Sequence, residues 1–148
     1  MKTARIGWFL LFSLLASVAA SAADEVNKSL FGVAIKGYDP VAYFVNAAPR
    51  KGVVDFEYEW RGAKWRFVSE ENRDFFAKSP EQYAPQFGGY CAWSVSQGST
   101  AGIDPEAWKI VRGKLYLNSS REVHAKWEQD VPGNIRKANA NWPAVLNK

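Results

Sequence analysis

Apolar and charged residues alternate between positions 53 and 69. Phe56, Tyr58 and Trp60 are interleaved with Asp55, Glu57 and Glu59, and Trp65 and Phe67 with Lys64 and Arg66. A period of two puts one set of side chains on each face of a strand. The short Gly-containing turn "RGAK" between the two runs predicts a β-hairpin. The pattern then changes. Ser69 followed by Glu70 and Glu71 predicts a capped helix through "ENRDFFAKSP" to Pro80. Serine accepts a free first-turn N–H there, and acidic residues suit the positive end of the helix dipole. The same succession returns downstream. Residues 107–120, "AWKIVRGKLYLNSS", read as a hairpin turned at Arg112-Gly113-Lys114, and Ser119 or Ser120 caps the helix "REVHAKWEQD". Strand, Arg-Gly turn, strand, serine and helix thus occur twice, with Gly62 and Gly113 as equivalent turn points. This predicts an internal pseudo-repeat in which residues 55–78 overlay 107–128.

Around these units the signals are shorter. Residues 23–37 form a lead-in with one apolar cluster, "SLFGVAI". In "GYDPVAYF", Asp39 can cap free N–H groups and Pro40 suits a first helical position, so a helical turn is expected through Tyr43. "EQYAPQF" continues in helical or irregular form, and Gly88-Gly89 breaks the chain before the only cysteine. A Pro-Gly break at Pro132-Gly133 leads to a last helix, "NIRKANANW". The elements predict an α+β fold: a small antiparallel sheet from two β-hairpins with helices packed on one face.

The first 22 residues read as a secretory signal: Lys2 and Arg5, an apolar stretch over 6–20, and small residues at "ASA" before Ala23. The expected product is one domain over 23–148, periplasmic or secreted, with no membrane span after cleavage. The chain carries 19 Lys+Arg against 15 Asp+Glu. Without Lys2 and Arg5 the balance is 17 against 15, or +2, and no Lys/Arg run forms a dense patch. That speaks against a nucleic-acid partner. One cysteine cannot close an intramolecular disulfide, so the fold rests on its core, to which the six tryptophans beyond the signal contribute.

At "GAKWRFVSEENRDFFAKSPEQYAPQFGGYCA" the sequence resembles the YHS domain family. It looks closest to exported single-domain members, which carry "GYDPVAYF" upstream and "GGYCA..VS.G" downstream. The resemblance covers residues 37–142. In the family's metal-binding members the pattern looks like "DPVCGM" followed by "FCS..C" at a helix head. Thiolates four apart there share one face and are favoured by the helix N-terminus. Carried across, the three thiolate positions fall on Ala42, Val68 and Asn72, so the resemblance implies the scaffold without that soft-metal site. The Tyr-His-Ser triplet is absent as well.

Three readings of Cys91 stay open. It can fill buried space as a small hydrophobe, between Tyr90 and Ala92 with Trp93 and Val95 nearby. It can line a ligand pocket, where a free thiol could hold copper with His124, the only histidine, or with a nearby tyrosine. It can act as a nucleophile, which would need a base and an orienting group. His124 itself reads first as a half-exposed helix residue beside the Val123–Trp127 row. The function that follows is non-catalytic binding of a small ligand or metal ion. The pocket would lie between "GYDPVAYF", the head of the "SEENRDFF" helix and "GGYCAWS". Its residues would be Tyr38, Asp39, Tyr43, Asn72, Tyr90, Cys91 and Trp93, with Cys91 and His124 the ligands if copper binds. The alternatives are an accessory module that docks another envelope protein and, third, a thiol enzyme.

Overall fold

The structure, a computed structural model, describes residues 22–148; the expected export signal lies outside the described residues apart from Ala22. The architecture is α+β: the described residues hold four strands in two antiparallel pairs, with six α-helices. Strands β1 (Val53–Trp60) and β2 (Ala63–Phe67) form the first hairpin, and β3 (Asp104–Val111) and β4 (Lys114–Asn118) the second. Helices α1 (Ala42–Val45), α2 (Glu70–Lys78), α3 (Pro80–Tyr83), α4 (Ala92–Ser96), α5 (Arg121–Glu128) and α6 (Val131–Asn141) follow the order of the chain. Among the described residues no helix is long and apolar enough to cross a membrane.

The hairpins form two separate sheets rather than one. The reason lies at their edges. Lys64 of β2 donates its N–H to Gly32 O and accepts from Ala34 N–H, so residues 32–34 occupy that edge. Leu115 of β4 accepts from Gln86 N–H, which occupies the corresponding edge of the second hairpin.

The pseudo-repeat is present in detail. A shift of 51 positions carries Val53↔Phe67 onto Asp104↔Asn118, and Trp60↔Ala63 onto Val111↔Lys114. Each hairpin slips register at the same place, between Val53 and Glu57 and between Asp104 and Trp108. The second strand pair therefore starts earlier than the sequence pattern indicates. Pro105 sits in that irregularity, where a missing N–H breaks no ladder bond. The turn residues Arg61 and Arg112 both have φ of 50°, a left-handed conformation that costs a side chain of this size about 1 kcal/mol. Ser69 and Ser120 each cap the following helix, accepting from Asn72 N–H and Val123 N–H.

Upstream of the hairpins the correspondence continues with a shift of 52. Residues 35–37 and 87–89 form matching 3₁₀ turns that end in Gly37 (φ 79°) and Gly89 (φ 80°). Glycine takes that conformation without strain. Each turn leads through a tyrosine, Tyr38 or Tyr90, into a short helix. Asp39 N–H bonds Arg50 O, and Cys91 N–H bonds Ala101 O. Cys91 thus stands where the first half has Asp39.

Two cores follow. The larger gathers Trp65, Phe67 and Phe76 with Tyr43, Cys91 and Leu117, and the second joins Phe87 and Tyr116 to Trp127, Ala138 and Val145. The Pro132-Gly133 step is part of α6 rather than a break before it. Asp130 accepts from Gly133 N–H at 3.0 Å, and proline in a first turn lacks only an N–H that the helix leaves free. A Cβ at Gly133 would collide with the Asp130 carboxylate.

Candidate functional site

The residues singled out by sequence gather around two buried polar centres, one in each half. In the first, Asp39 is fully buried and accepts four hydrogen bonds. Oδ1 takes Val41 N–H (2.8 Å) and Ala42 N–H (3.2 Å) at the head of α1. Oδ2 takes Val68 N–H (2.9 Å) and the side-chain amide of Asn72 (2.8 Å) at the head of α2. One carboxylate therefore ties two helix starts together, and its charge is spread over four donors. The cap expected from "DP" is present, with a second role that the local sequence does not announce.

The second centre does the same job with different atoms. A thiol cannot cap two N–H groups, and Asn118 replaces the missing carboxylate from the end of β4. Its Oδ1 accepts from Trp93 N–H (3.1 Å) and faces Cys91 Sγ at 3.6 Å; its Nδ2 lies 3.0 Å from His124 Nδ1. Trp93 N–H can only donate, which fixes Oδ1 toward it and Nδ2 toward the imidazole. Nδ1 must then accept, so the ring is neutral, with its proton on Nε2 facing Glu128 Oε1 at 3.6 Å. Asn118 was missed by sequence reading. Its signal is a polar residue at the inward-facing position that Phe67 holds in the first half.

The remaining candidates are placed as follows. Tyr43 is buried, donates its hydroxyl to Pro105 O (2.9 Å) and packs edge-on to Trp108. Burial, with smaller contributions from Tyr38, Glu106, Asp104 and Asp39, pushes its phenol well above the ordinary value. Tyr90 donates to Asp24 O at 2.8 Å, and its phenol is raised by burial and by Asp24. Tyr38 and Trp93 are half-buried against the core. The structure thus brings Asp39 to Asn72 and Cys91 to His124 by way of Asn118, but Tyr43 and Cys91 are at most 1% exposed. Around those two side chains, the space expected for a pocket is core.

The donor set does not fit a copper ion. Of the three positions where the resemblance would put thiolates, Ala42 and Asn72 are buried without sulfur, and Val68 lies on the surface. Cys91 and His124 approach opposite ends of the Asn118 amide, which a shared metal would have to displace. No group of three His, Cys, Asp or Glu among the described residues could hold a metal. The same arrangement separates the thiol from the imidazole that a nucleophile would need as base.

His124 should make stability depend on pH. Burial lowers its pKa below the ordinary 6.5, Lys109 adds to this, and Glu128 opposes it. The Glu128 carboxylate is itself lowered, chiefly by its hydrogen bond to Lys109. The unfolded chain then binds the proton more readily, so stability is complete above about pH 6.5 and is lost as pH falls below it. Protonation would also set Nδ1–H against the Asn118 amide donor. Melting temperatures between about pH 7.5 and 5 should fall for the wild type, and fall less for His124→Gln.

An open depression of about 450 Å³ between the end of α1 and the head of α2 is lined by Val45, Asn46, Val68, Asn72 and Phe75, so Asn72 is the expected site residue that faces a cleft there. The more enclosed clefts lie elsewhere. One of about 360 Å³ runs between the β1–β2 turn, the segment after α3 and the end of α6. Its aromatic wall is Trp60, Trp65, Phe87 and Trp142. Arg61 crosses its lip, stacked 4.3 Å over Trp60, 3.0 Å from Glu81 and 3.6 Å from Glu25. A second cleft adjoins it at the turn of the other hairpin and shares Lys114 and Asn139. Neither is lined by Cys91, Tyr38, Tyr43 or Trp93. Comparison with protein-family profiles, with curated proteins and with solved structures found no match.

Proposed function

We propose that this is an exported, non-catalytic binding module for a small organic ligand, and that the ligand enters the aromatic cleft rather than the neighbourhood of Cys91. The cleft carries the reading. Its volume falls in the range of small-molecule sites, and flat rings beside a few directed polar groups suit a ligand with one apolar face and a hydrogen-bonding edge. Gln86, Glu25, Glu81 and Arg61 supply that edge. The resemblance to the YHS domain family supports the class, since binding rather than turnover is what it implies.

Amide and indole N–H shifts during titration with a fragment panel test this. Binders should perturb Gly88 and the indoles of Trp60 and Trp142, and Arg61→Asn should weaken them about three- to tenfold. Asparagine suits the left-handed turn position, and an exposed substitution there should cost less than about 0.5 kcal/mol of stability. Binders that perturb only the Cys91–Asn118 region would contradict the assignment.

A second reading, docking to an envelope protein, is favoured by Leu30 and Phe31. They are 103% and 84% exposed at the tip of a turn whose base is the Lys28↔Ala34 bridge. Shifts confined to that tip when an envelope extract is added would favour docking over the cleft.

A further inference from the structure

The two hairpin turns match in backbone but not in charge. In the first, Arg61 is neutralised by Glu81 and Glu25 and covered by Trp60. In the second, Arg112 takes the same left-handed position, yet no carboxylate among the described residues pairs with it, nor with Lys114 or Arg136. These three exposed cations rim a groove of about 560 Å³ between the β3–β4 turn and α6. The floor is Val111, Tyr116, Val131 and Ile135, and no acidic residue lines it.

An apolar floor draws hydrocarbon out of water, and three cations on a rim without a carboxylate select a negative end. Guanidinium groups add directed, paired hydrogen bonds to a planar anion. We propose that this groove binds a free single-chain amphiphile with an anionic head, of which a medium-chain carboxylate is the simplest member. In the first half the corresponding turn receives its anions from the chain itself, Glu25 and Glu81; in the second the ligand supplies the anion. The groove shares Lys114 and Asn139 with the aromatic cleft, but its floor and the Arg112 and Arg136 guanidinium groups are its own.

The test is an amide-shift titration of the exported chain with decanoate below its micelle concentration, beside 1-decanol and acetate. Decanoate should give saturable shifts at Val111, Tyr116 and Ile135. Decanol and acetate should each bind at least about tenfold more weakly, since each keeps only one half of the recognition. Arg112→Asn with Arg136→Gln should weaken decanoate about tenfold, the size of two partly exposed ion pairs. Asparagine fits the turn and glutamine the helix, so spectra away from the groove should not change. No saturable decanoate shift, equal binding of decanol, or an unchanged affinity in the double variant would overturn the proposal. So would binding to phosphatidylglycerol vesicles without binding of free decanoate.

Discussion

Asp39→Ala is expected to lose about 3–5 kcal/mol of folding stability, the largest effect of any single polar substitution in this chain. The residue is fully buried, and all four of its hydrogen-bond partners are protein donors. Removing the carboxylate leaves Val41, Ala42 and Val68 N–H groups and the Asn72 amide without acceptors, each costing about 1–3 kcal/mol if water stays out. The sum is less than additive, because the small cavity admits some water and α1 can shift. Asp39→Asn keeps one carbonyl oxygen but turns an NH₂ toward donors, and should fall between wild type and alanine. Urea unfolding measures both. A loss below about 1 kcal/mol for alanine would show that the two helix starts are not held by this side chain.

Asn118→Ala should cost about 2–4 kcal/mol, and more than Cys91→Ala. The amide caps α4 through Trp93 N–H, receives the thiol and donates to His124. Its loss orphans a backbone donor and frees the imidazole. Loss of the thiol removes only a long contact and leaves a small void, about 1–2 kcal/mol. The ordering of the two variants separates a structural thiol from a functional one. If Cys91→Ala were the more damaging, the second centre would be organised around sulfur. Asn118→Ala should also lose part of the pH dependence ascribed to His124, since the acceptor role of Nδ1 disappears.

What the sequence made legible was local. Strand alternation at 53–69, the Arg-Gly turns, the two serines and the Asp-Pro cap each act within a few residues, and each appears where its chemistry places it. The repeat was legible because two local patterns recur in one order. Pro132-Gly133 misled because the pair breaks a helix interior but suits a first turn, and only Asp130 beside it decides between them. The two hairpins were expected in one sheet because nothing local says that residues 32–34 and Gln86 take the strand edges.

The site was harder to read. Cys91 and "GYDPVAYF" stood out by residue type, and both belong to buried centres completed from far away, by Asn118 and by Asn72 with Val68. Trp60, read as core from its strand row, packs against Trp65 and Phe76 of the main core, and its other side walls a cleft. That cleft is assembled from Glu25, Arg61, Glu81, Lys114 and Trp142, which no window of sequence contains together. The clefts at the hairpin turns, and the sealing of Asp39 and Cys91 into the fold, are therefore tertiary properties.

The reaction of Cys91 with a thiol reagent in the folded protein tests that sealing most directly. In native buffer at mildly alkaline pH the thiol should be modified only as fast as the chain unfolds globally, and immediately once denatured, because a side chain with no exposed surface cannot be attacked. Rapid stoichiometric modification of the native protein would place Cys91 in an accessible pocket, and would return the ligand, metal and nucleophile readings to it.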